Sequence, residues 1–118
     1  MTVIFHELVA KCPPAKLWAI LSDLEAVEKY NPTVRSARIA SACRAGNGAV
    51  RECALVPKGK VVERVTNWEE GRSVGLEVIE SDWPIRSMQW VTRIEPAGSG
   101  SRLVQRLEYQ MKFGPAGC

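Results

Sequence analysis

"PPAKLWAILSDLEAVEKYNP", Pro13 to Pro32, is the one stretch of this chain with helical spacing, and the segments on both sides of it read as strands. Two prolines open it. Proline suits a first helical turn, because the N–H it lacks would have no partner there. From Ala15 onward Leu17, Ile20, Leu21 and Leu24 fall on one stripe with Trp18 beside it, which predicts an amphipathic helix. Ser22-Asp23 offers caps or a break, and Leu24 to Tyr30 can form a second short helix. Asn31-Pro32 closes the segment, since a residue that precedes proline is pushed out of the helical region.

Outward from that stretch the period falls to two. Thr2 to Lys11 reads as a strand with Val3, Phe5 and Val9 on one side; in that register His6 faces outward. After Pro32, strands are expected at Val34–Ala42, Ala49–Val56, Val61–Glu69, Ser73–Glu80, Ile85–Glu95 and Ser101–Phe113. Turn chemistry separates them: Asn47-Gly48 is a strong hairpin signal, followed by "PKGK", Glu70-Gly71, "SDWP" and "PAGSGS". The order is one strand, two short helices and six strands, β-α-α-β6. Long hairpins joined in sequence give an α+β fold built on a curved antiparallel sheet of six to seven strands.

With 118 residues the chain makes one domain and can hold a real core without staples. Its net charge of +3 is small, and the basic residues are scattered, so nucleic acid is not an expected partner. The longest strictly apolar run, Leu17 to Leu21, is far too short to span a bilayer, and stable membrane insertion is not expected. No basic, apolar leader opens the sequence, which makes the cytoplasm the default compartment. Four cysteines (Cys12, Cys43, Cys53 and Cys118) include no CxxC and accompany a single histidine, so neither a metal nor another cofactor is expected. Cys43 and Cys53 flank a turn and read as free thiols in a reducing compartment.

"PPAKLWAILSDLEAVEKYNPTVRSARI" resembles the start of the START-like, Bet v 1-like (SRPBCC) superfamily, in its polyketide cyclase/dehydrase and lipid-transport branch. The likeness lies in the Pro-Pro start, Leu17-Trp18, the Ser22-Asp23 break and the Tyr30-Asn31-Pro32 exit, and continues in "VVERVTNWEEG" (Val61–Gly71) and "SDWPI" (Ser81–Ile85). It implies a helix-grip, in which a seven-stranded sheet wraps around a long C-terminal helix and a cavity lies between them. Here the sequence ends "RLEYQMKFGPAGC", and Gly114-Pro115 reads as a helix start with no helix behind it. The expectation is therefore a single START-like domain over residues 1–118, truncated at its C-terminal end and lacking that helix. The apolar face of Leu107, Tyr109, Met111 and Phe113 then needs another cover. A homodimer through the open sheet is the favoured one; a bound apolar ligand and collapse onto the two short helices are the others.

Met88, Trp90, Gln105, Leu107, Tyr109 and Met111 are the candidate ligand-binding residues, an aromatic and Met-rich sheet face with polar anchors. Packing alone also accounts for the apolar ones. Glu63 is the leading candidate for a catalytic group, and Tyr109 and Gln105 are the other side chains that a cyclase or dehydratase could use. With Val61 and Val65 inward Glu63 sits in an apolar pocket and can act as acid or base. In the rival register Val62 and Trp68 are buried, Arg64 turns in and Glu63 is in water; periodicity leaves the two open. The resemblance implies binding or transport of a small hydrophobic molecule such as a lipid, quinone or polyketide-like compound. The alternatives are a cyclase or dehydratase acting on such a substrate, and an interaction module that dimerises through its open sheet.

Overall fold

The structure is a computed structural model that describes residues 2–112. The elements come in the expected order: β1 (Thr2–Ala10), α1 (Pro14–Leu21), a 3-10 helix η1 (Leu24–Lys29), β2 (Val34–Ile39), β3 (Val50–Leu55), β4 (Lys60–Glu69), β5 (Ser73–Ser81), β6 (Ile85–Ala97) and β7 (Gly100–Met111). The strands form one antiparallel sheet in the order β1-β7-β6-β5-β4-β3-β2. The α+β class and the β-α-α-β6 order are thus found, with the second helix in the tighter 3-10 form. No helix follows β7 among the described residues. The expectations placed on Phe113, on Gly114-Pro115 as a helix start and on Cys118 lie outside the described residues.

Chain order explains the topology. Each of β2 to β6 pairs with its successor, and β1 closes the far side by pairing with β7 from Thr2↔Tyr109 to Ala10↔Ser101. Consequently β1 and β2 are the two edges. The β2 edge is covered: Glu25 Oε2 accepts the Ile39 N–H at 3.0 Å and Glu28 Oε1 accepts the Ala37 N–H at 3.3 Å, so η1 satisfies donors that an open edge leaves free. That backbone bond is the main reason the Glu25 carboxyl is held below its ordinary range, with Arg44 contributing. At the other end Ser101 is fully buried, and its hydroxyl donates to the Cys12 carbonyl at 2.7 Å. A Cβ on neighbouring Gly100 would overlap the Ala10 carbonyl oxygen, so only glycine lets β7 start this close to the end of β1.

The core splits in two. Trp18 and Leu24 pack with Ala49, Val65, Val74, Leu76 and Ile94, where α1 lies against the sheet. Val27 and Val34 pack with Cys53, Leu55 and Val61 under η1. Trp18 and Trp68 meet edge to face with ring centroids 5.2 Å apart. Both indoles donate to one carboxylate, Glu70, each at 3.0 Å.

Three local expectations are corrected. On β1, Val3, Phe5 and Val9 are exposed on the outer face, with Phe5 under the Arg106 guanidinium at 5.9 Å. Residues directly opposite in an antiparallel pair share a face, so His6, opposite Gln105, lies on the concave side with Ile4 and Leu8. On α1, Leu17, Trp18 and Leu21 face the core and Ile20 is exposed, a stripe rotated from the one expected. Asn47-Gly48 is not a two-residue hairpin; it lies in a longer connection between Ile39 and Val50. There Gly46 and Gly48 take positive φ, and the Gly48 N–H and the Ala49 carbonyl pair with Val65, extending the β3 ladder.

Candidate functional site

The concave face carries a cavity of about 500 Å³. Alternation along the strands builds it. β5 supplies Val74, Leu76 and Val78, the face read from the sequence. β6 supplies Met88, Trp90 and Thr92, and β7 supplies Leu103, Gln105 and Leu107. Leu21, Val27 and Tyr30 close it from the helical side, with Trp83 and Ile85 at the β5–β6 connection. Met88, Trp90, Gln105 and Leu107 therefore lie in the wall. Tyr109 and Met111 continue the same face of β7 but are not among the lining residues.

Besides Tyr30, Asn31 and Thr33 at the helical end, two polar clusters interrupt this apolar wall. Gln105 Nε2 donates to Thr92 Oγ1 at 3.3 Å across the β6–β7 pair. The second group is ionic. Arg51 and Glu63 are direct cross-strand partners on β3 and β4, 5% and 7% exposed, and Arg51 Nε donates to Glu63 Oε1 at 2.6 Å. Arg51 Nη1 also donates to the Leu24 carbonyl at 3.0 Å, which ties the pair to the start of η1. Burial works against the Arg51 charge, but the Glu63 carboxylate and its hydrogen bond outweigh that and hold the guanidinium above its ordinary range.

This geometry selects one of the two registers for β4. Val61, Glu63 and Val65 face inward and Arg64 outward, where it pairs with Glu77. Period two holds from Val61 to Val65; the phase of β4 changes at Thr66, the extra residue between Val65 and Asn67, so Val65 and Trp68, which belong to opposite registers, both pack on the core, and Val62 is buried as well. The environment of Glu63 differs from the apolar pocket expected for an acid or base, because its carboxylate is engaged by Arg51. Sequence reading missed Arg51, Tyr30 and Trp83. The available signal for Arg51 was its place between Ala49 and Cys53 on an alternating face, and the need of a buried glutamate for a cation.

Cys53 completes the charged end. It is fully buried, its thiol lies 3.8 Å from Glu63 Oε1, and burial followed by the Glu63 charge pushes it up to about 12 from an ordinary 9.0. Burial likewise raises the Tyr30 phenol, against the opposing pull of Arg51. A folded-state value above the unfolded one gives stability that is complete below the unfolded value and lost as pH rises toward the folded one. For Cys53 that window runs upward from the ordinary 9.0 to about 12. Urea midpoints should therefore fall more steeply between pH ~8 and ~10.5 in the wild type than in Cys53→Ala; parallel slopes would contradict the assignment.

Cys12, Cys43 and Cys53 are free thiols, and the described residues contain no group of His, Cys, Asp and Glu that could hold a metal ion. No helix among the described residues is long and apolar enough to cross a membrane.

Over residues 1–117 the sequence matches the family described as polyketide cyclase / dehydrase and lipid transport. No curated protein matches it. Similar solved structures include the protein XoxI from Bacillus cereus, 13% identical, with a TM-score of 0.81 over 94% of this chain and 77% of that one. Ara h 8.0201 is 20% identical with a TM-score of 0.78, covering 97% of this chain and 81% of its own. A Thermobifida fusca protein solved by NMR is 18% identical with a TM-score of 0.80, over 99% and 78% of the two chains. At these identities the likeness is one of fold, and that fold is the Bet v 1-like helix-grip.

Proposed function

The chain belongs to the polyketide cyclase / dehydrase and lipid transport family, and from that premise we propose that it binds a small hydrophobic molecule on the concave face of its sheet. The observation that carries this reading is the cavity: about 500 Å³, with a mostly apolar wall and a few convergent polar groups. That is the size and composition of a small-molecule site, for which pockets of about 300–1,000 Å³ are usual. Lipids, quinones and polyketide-like compounds share the required chemistry, an extended or ringed apolar body.

Titration with an apolar fluorescent probe tests the reading. Trp90 lines the cavity, while its neighbour Val91 is on the other face of β6. Trp90→Ala should weaken the probe by about tenfold, the effect of roughly 1.4 kcal/mol of lost contact, and Val91→Ala should leave it unchanged. Equal effects, or none from either, would place the probe elsewhere.

A cyclase or dehydratase would assign proton transfer to Glu63. Its engagement by Arg51 at 2.6 Å favours anchoring over proton exchange. The proposal includes a cytoplasmic protein that self-associates. Leu8, 60% exposed on the concave side of the β1 edge, offers apolar surface to a second copy. Sedimentation that stays monomeric at all dilutions would remove that part and leave the cavity reading intact.

A further inference from the structure

The charged pair in the cavity is not exhausted by its own contacts. Glu63 binds Arg51 and Cys53 through Oε1, and Arg51 uses Nε and Nη1. Among the described residues neither Glu63 Oε2 nor Arg51 Nη2 makes a hydrogen bond, although the Tyr30 phenol lies near Arg51, and no buried side-chain nitrogen or oxygen among them lacks a partner. Both atoms must therefore be open to the space that their residues line. One is a strong acceptor and the other a strong donor, each on a residue more than nine-tenths buried.

Charge decides what fits there. A carboxylate head would gain the Arg51 donor and meet the Glu63 oxygen beside it. An ammonium head would meet the reverse. In either case a third charge enters a site whose own two already cancel, and its desolvation is left largely uncompensated. A hydroxyl has both a donor and an acceptor. It can give its proton to Glu63 Oε2 while taking a hydrogen bond from Arg51 Nη2, and both bonds are charge-assisted. We propose that the Arg51–Glu63 pair is the recognition site for a neutral hydroxyl, alcoholic or phenolic, at one end of an otherwise apolar ligand. This rests on the cavity-binding reading above and adds the chemical class of the ligand's polar end.

Three matched probes separate the two ideas: naphthalene, 2-naphthol and 2-naphthoate, titrated into the whole chain. 2-Naphthol should bind about tenfold or more tightly than naphthalene, the scale of charge-assisted hydrogen bonds, and 2-naphthoate should bind more weakly than naphthalene. In the double variant Arg51→Met/Glu63→Met, which removes both charges together, the ratio of 2-naphthol to naphthalene affinity should fall to about one. Equal binding of naphthol and naphthalene by the wild type overturns the proposal, as does a preference for naphthoate. A naphthol preference that survives in the double variant also overturns it, since other polar groups of the wall, such as Gln105, Thr92 or Tyr30, would then be reading the hydroxyl. If the double variant does not fold, the wild-type ranking decides alone. Failure of all three probes to bind defeats the cavity reading itself, and this inference falls with it.

Discussion

Arg51→Met should destabilise the protein by roughly 3–5 kcal/mol, and Arg51→Met/Glu63→Met should recover most of that loss. Glu63 is 7% exposed in the wild type, and the single change leaves its carboxylate with the Cys53 thiol as its one remaining hydrogen-bond partner among the described residues. It also strips the Leu24 carbonyl of its Arg51 donor. A buried ion pair adds little net stability compared with an apolar pair of similar volume, because the desolvation of two charges offsets their attraction. Removing one partner is costly for a different reason: the other charge stays buried alone. Urea midpoints of the wild type, the two single variants and the double variant close a mutant cycle. Additive single effects would mean that the two side chains do not interact as the 2.6 Å contact implies.

A comparable loss, about 3–5 kcal/mol, is expected from Trp18→Ala. Trp18 is the buried side chain of α1 and lies on Leu24, Val65 and the rest of the first core cluster. Its removal opens a cavity, ends the edge-to-face contact with Trp68 and takes one donor from Glu70. Packing and the hydrogen bond can be told apart. Trp18→Phe keeps most of the ring volume and loses the N–H, so it should cost only about 0.5–1.5 kcal/mol for the bond plus a small packing defect. Denaturation midpoints that place the Phe variant level with the Ala variant would make the Glu70 bond, and not the packing, the larger contribution.

The parts of the fold that were legible in the sequence are those set by local chemistry. Pro13-Pro14 and Asn31-Pro32 bracket the helical segment, and the alternation of Val74, Leu76 and Val78 marks a cavity-facing strand. What was not legible depends on partners distant in sequence. β1 carries apolar residues in both phases, Val3 and Phe5 in one and Ile4 and Leu8 in the other, so only its register with β7 fixes its faces. The extra Thr66 shifts the phase of β4, so Val65 and Trp68 both reach the core and the alternation did not say which register holds at Glu63. Arg51 reads as an ordinary solvent-facing charge until β3 is laid against β4, where Glu63 stands opposite. Tyr109 and Met111 obey the alternation that puts Leu107 in the wall, but alternation does not say where along β7 the cavity ends.

Backbone amide shifts recorded during a titration with 2-naphthol test the central claim most directly, because the two faces of one strand serve as site and control. The account predicts saturable shifts for residues whose side chains line the cavity, with Leu76, Trp90 and Gln105 in the middle strands and Arg51 and Glu63 at the charged end. Outer-face positions on the same strands, Arg64, Glu77 and Gln89, should shift far less. Shifts centred on the outer face or on the β1 edge, or no saturation at all, would contradict a ligand site on the concave side of this sheet.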